Sequence, residues 1–101
     1  MKYYYLKLKK DELAMFMGNL EDEMIEIRGI LEDDNDIEEL EYQELYHYFM
    51  QFNIYYSLWI KIISQLKIQK YEKSFLERRE RYWNYKYEKW YGYLKQKEME
   101  K

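Results

Sequence analysis

Apolar residues recur at alternating spacings of four and three from Leu13 through Met17, Leu20, Met24 and Ile27 to Leu31. Such a seam keeps one stripe of a helix apolar, which is how coiled coils and helical bundles are specified. A second seam of the same period runs through Leu45, Phe49, Phe52, Tyr56, Trp59, Ile63 and Leu66. Pro, Val and Thr are all absent, so no residue removes a backbone donor and Ile alone is β-branched. The chain is constrained to an all-α fold.

The second seam has apolar flanks as well, among them Tyr48, Ile54, Tyr55, Leu58, Ile60 and Ile62, and only Asn53, Ser57, Lys61 and Ser64 form a polar strip. A helix apolar on most sides is expected to be surrounded by other helices. A third helix carries Trp83, Tyr87, Trp90 and Leu94 on one face. The expected architecture is a bundle of three long helices with coiled-coil-like packing, near 11–32, 37–72 and 75–92, in a single helical domain spanning 1–101. Capping boxes are read at Asp36 with Glu39 and at Ser74 with Glu77, and Gly92 is read as the end of the third helix. The middle helix would then be roughly 54 Å long at about 1.5 Å per residue. Residues 1–10 fit two patterns. Tyr3, Leu6 and Lys10 extend the first seam, whereas Tyr4, Leu6 and Leu8 alternate with their neighbours, so this segment is a helix or an extended arm.

Composition removes several classes of function. The 101 residues include 48% hydrophobic side chains, too many for a disordered chain even with 37% charged. There is no Cys and one His, which leaves the usual structural zinc sets and a thiol nucleophile without ligands, so no metal and no cofactor are expected. Glu44 and His47 share the Glu-x-x-His spacing of di-iron bundles, but a second such pair would have to come from another subunit. Three isolated Gly residues cannot form a phosphate-cradling loop, and three Ser residues offer no triad. No enzymatic activity is expected. The apolar stretch 45–63 is rich in Tyr and interrupted by His47, Gln51, Asn53, Ser57 and Lys61, which argues for a core helix over a membrane span. With no apolar leader either, the expected location is the cytoplasm.

Charge is segregated along the chain. Residues 1–10 carry +4, residues 11–44 carry −13 and residues 61–101 carry +6, for a net −3. One explanation is internal: an acidic first helix lying beside a basic third one. The other is that one pole binds a partner. On the third helix Tyr71, Phe75, Arg78, Tyr82, Tyr85 and Lys89 form a second stripe, with Arg81 nearby, off the face that closes the bundle. Aromatics with Arg are the residues of protein interface hot spots and of single-stranded nucleic-acid platforms. The acidic run, with Glu21, Asp22, Glu26, Asp33 and Asp34, could imitate a phosphate backbone. Small inhibitors of host defence, anti-CRISPR proteins among them, use charge in this way; the analogy is one of size and charge without a shared motif. The expected function is therefore inhibition or modulation of a larger host protein or nucleoprotein complex by a non-enzymatic homodimer. Direct nucleic-acid binding through the third helix is the alternative.

Overall fold

The computed structural model describes residues 9–100. Four helices follow one another: α1 (Lys10–Ile30), α2 (Asp34–Glu39), α3 (Tyr42–Ile68) and α4 (Lys73–Met99). No strand occurs among the described residues. The all-α bundle expected from the two seams is what forms, and α1, α3 and α4 are its long members. Of the segment 1–10, expected to be a helix or an extended arm, residues 1–8 lie outside the described residues, while Lys9 caps α1 and Lys10 opens it.

Both seams lie in the core. Leu13, Met17, Leu20, Met24, Ile27 and Leu31 are buried, as are Leu45, Phe49, Phe52, Trp59, Ile63 and Leu66. From α4 come Leu76, Trp83, Trp90 and Leu94, with Tyr87 half-buried beside them. The aromatic residues meet edge to face and offset: Phe52 stands T-shaped on Trp90 at 4.8 Å, and Phe49 tilts against Tyr87 at 5.3 Å. These geometries suit the quadrupoles of the rings.

The middle helix is not one piece. A short α2 precedes α3, and the chain turns at Leu40, whose backbone is extended. Continuing α3 backwards from Leu45 by four and by seven residues would bring Glu41 and Glu38 onto the buried seam. Two unpaired carboxylates in an apolar core are too costly. The break turns them outward, and both are exposed. With 27 residues α3 is about 40 Å long. The expected box at Asp36 is replaced by Asp33, whose Oδ1 accepts from the Asn35 N–H at 3.1 Å. The first turn of α3 is closed by the Glu41 N–H donating to Glu44 Oε1 at 3.2 Å.

The ends of α4 also differ from expectation. Ser74 lies inside the first turn, after Glu72 at the cap position, and Gly92 lies within the helix, which runs on to Met99. Gly92 faces open space, so its glycine freedom is not used for a terminus. The left-handed residue is Lys70, with φ 60°, just past α3. The Tyr71 N–H donates to the Leu66 carbonyl and the Lys70 N–H to the Lys67 carbonyl, both at 3.0 Å. This double bond pattern is the Schellman motif, and it ends the helix short of the expected residue 72.

Candidate functional site: the α1–α4 groove

α1 and α4 each pack along α3 and meet one another through side chains. At the centre of that seam lies Glu21, the one buried charged residue among those described, 3% exposed. Arg79 grips its carboxylate with two nitrogens, Nε donating to Oε1 at 2.7 Å and an Nη donating to Oε2. The indole N–H of Trp83 donates to Oε2 at 3.2 Å. Three donors on one carboxylate satisfy a charge that would otherwise be expelled from the core. The hydrogen bonds it donates to Glu21 hold Arg79 above its ordinary pKa.

Around this pair a groove of about 470 Å³ opens between the helices, walled by Ile25, Phe75, Tyr82 and Trp83. Three guanidinium groups stand on it: Arg28, Arg78 and Arg79. Arg79 is neutralised by Glu21 and packs over the Phe75 ring at 5.1 Å. Arg28 donates to the Tyr82 hydroxyl at 2.6 Å and lies over the Tyr82 and Trp83 rings, each at 5.8 Å. These partners are neutral, and no carboxylate among the described residues pairs with Arg28. Arg78 is exposed. Among the described residues the groove thus carries two guanidinium groups without an ion-pair partner beside an apolar floor, on a chain whose net charge is −3.

The structure divides the second stripe. Phe75, Tyr82 and Lys89 lean toward α1 and α2 within the same chain. Lys89 pairs with Asp34 at 2.9 Å, which lowers the Asp34 pKa from its ordinary value and raises that of Lys89. Tyr71 is half-buried beneath Lys10, whose ammonium sits 5.5 Å from the ring. Arg78, Arg81 and Tyr85 face solvent, Tyr85 at 62% exposure. Of the acidic run, Asp22, Glu26, Asp33 and Asp34 are exposed, whereas Glu21 is withdrawn from any surface that could imitate a phosphate chain. The acidic and basic segments do attract internally, through Glu21–Arg79 and Asp34–Lys89.

The sequence alone does not mark Ile25, Arg28 and Arg79 in the groove, or Lys97 at the end of α2. Arg28, the lone base among residues 11–44, was legible as an exception in an acidic run but not as a groove residue. Lys97 donates to the carbonyls of Glu38 at 3.0 Å and Leu40 at 2.7 Å, closing the end of α2 from 57 residues away. His47 faces Gln51, with 3.3 Å between their Nε2 atoms, and Glu44 is engaged at the start of α3. Among the described residues no group of three or more His, Cys, Asp or Glu could hold a metal ion. No helix among them is long and apolar enough to cross a membrane. Comparison with family models, curated proteins and solved structures gives no match.

Proposed function

We propose that the chain is a non-enzymatic binding protein that inhibits or modulates a larger protein complex, acting as a homodimer and docking through the α1–α4 groove. The observation supporting this is the pairing of two guanidinium groups without an ion-pair partner among the described residues, Arg28 and Arg78, with an apolar floor and the exposed Tyr82 and Tyr85. Arg and Tyr are the side chains that most often carry interface energy, because they bury large area and hydrogen-bond at once. The chemistry fits an acidic segment of a partner protein, its carboxylates on the arginines and an apolar side chain between the helices.

The test is capture of partners by the intact protein and by an Arg78→Glu, Tyr85→Ala variant whose helicity is unchanged. One defined protein retained by the first and lost by the second supports the reading. Equal capture by both overturns it. Retention of a random single-stranded oligonucleotide, with affinity falling steeply as salt rises, would replace it with nucleic-acid binding, since phosphate contacts release counterions.

A further inference from the structure

Among the described residues nothing covers the side of α3 turned away from α1 and α4. The molecule measures 45 × 33 × 19 Å, so along its thin axis it holds about two helices and no third layer. On this open face Tyr46, Met50, Ile54 and Leu58 follow one another at spacings of four, with exposures of 46% for Tyr46, 59% for Ile54 and 40% for Leu58. The expectation that α3 is enclosed on most sides fails here. The face is also nearly free of charge. No Asp, Glu, Lys or Arg lies between Glu44 and Lys61, in a chain that is 37% charged. The outer faces of α1 and α4 carry Asp22, Glu23, Glu26, Arg81, Glu88 and Lys95 instead.

We infer that this face is where two copies of the chain pair, antiparallel, about a twofold axis level with Phe52. An isologous interface must be complementary to itself, and the order of residues meets that demand. The axis sets Met50 against the partner's Ile54 and Tyr46 against the partner's Leu58. It sets His47 against the partner's Ser57, polar on polar, and Lys61 against the partner's Gln43. A parallel pairing would instead oppose Lys61 to its own copy. Neutrality also selects among occupants. A phosphate chain or an anionic bilayer needs several cations, and this face offers Lys61 alone, at one end, which is also too little charge to select an acidic or basic peptide. The surface lies apart from the α1–α4 groove, so it stands or falls independently of the groove's partner.

The absence of cysteine from the natural chain makes the register testable. Light scattering on the intact protein is expected to give twice the 13.0 kDa chain mass, and Ile54→Glu is expected to give the single-chain mass with unchanged helicity. Separately, chains carrying Met50→Cys are mixed with chains carrying Ile54→Cys and oxidised. Disulfide formation between unlike chains is expected to exceed that between like chains several-fold, because the axis brings position 50 to the partner's 54. A Tyr85→Cys variant is expected to stay uncrosslinked. A monomeric intact protein at millimolar concentration overturns the proposal, as does a dimer indifferent to Ile54→Glu. Like-chain crosslinks at 54 equal to the unlike ones overturn the antiparallel register. Loss of the groove's partner with the dimer preserved would bear on the proposed function alone.

Discussion

Glu21 shows how little a residue's neighbours in sequence say about its surroundings. It sits in Glu21-Asp22-Glu23, where each side chain looks equally solvated, and its neighbours are indeed exposed. One residue after Leu20 on the seam, however, it is carried toward α4, where Arg79 and the Trp83 indole converge on it. The signal for burial lay 58 residues away, in Arg79, and no local pattern joins the two. Replacing Glu21 with Ala is expected to cost about 1–3 kcal/mol, since it strands the buried Trp83 N–H and leaves Arg79 without its acceptor. Arg79 is partly exposed and rehydrates, which keeps the loss below that of breaking a fully buried pair. Glu21→Gln retains an acceptor and should lose less. Asp22→Ala and Glu23→Ala should stay within about 0.5 kcal/mol. Urea unfolding of the four variants checks the order, and equal effects at 21, 22 and 23 would deny Glu21 its central place.

At the scale of the helices, the period of the apolar residues carried most of the information. The seams beginning at Leu13 and Leu45 and the Trp83–Leu94 face are all core, because a 3.6-residue helix leaves such residues no other side to face. What the period could not place were the ends. A Schellman turn is usually announced by Gly, and here Lys70 takes the left-handed position, so the sequence carries no sign that α3 ends before residue 72. Gly92 made the opposite error, because a glycine on an open helix surface resembles a terminus in sequence. Both misreadings convert into one stability prediction. Lys70→Gly relieves a conformation that disfavours a Cβ and should stabilise the protein by up to about 1 kcal/mol. Gly92→Ala meets no atom within 4 Å and should add about 0.5–1 kcal/mol through helix propensity. Thermal melts decide it; a fall in Tm for either variant would contradict the corresponding backbone assignment. The groove was legible only in part. Of the stripe, Phe75, Arg78 and Tyr82 line the groove and Tyr85 and Lys89 do not, while α1's contribution of Ile25 and Arg28 required the packing of two helices against a third.

Taken whole, the molecule is held in two different ways. Along α3 the contacts are mainly apolar and aromatic, with Lys67–Glu80 an ionic exception, while between the acidic α1–α2 segment and α4 polar and ionic contacts are prominent. The small α2 belongs almost entirely to the second kind. Apart from the buried Ile37, it is fastened by Asp34 to Lys89 and by the Glu38 and Leu40 carbonyls to Lys97. A positive charge at the C-terminal end of a helix is favourable, and here it also satisfies carbonyls with no helical partner. Exposed ionic contacts of this sort contribute little individually and weaken with salt, whereas apolar burial does not. Amide exchange in α2 should therefore quicken when salt is raised to about 1 M, where screening acts over roughly 3 Å, with α3 and its partners staying protected. Acid should act the same way. Lys89 depresses the Asp34 pKa, so the contribution of this pair is present above the ordinary value of 3.8 and is lost as pH falls through the lower folded value. Lys97→Met should reproduce the opening of α2 at low salt and blunt its further response. If α2 instead exchanges in step with α3 under salt, acid and Lys97→Met alike, the helix is secured by Ile37 alone and the ionic clasp has no share in holding it.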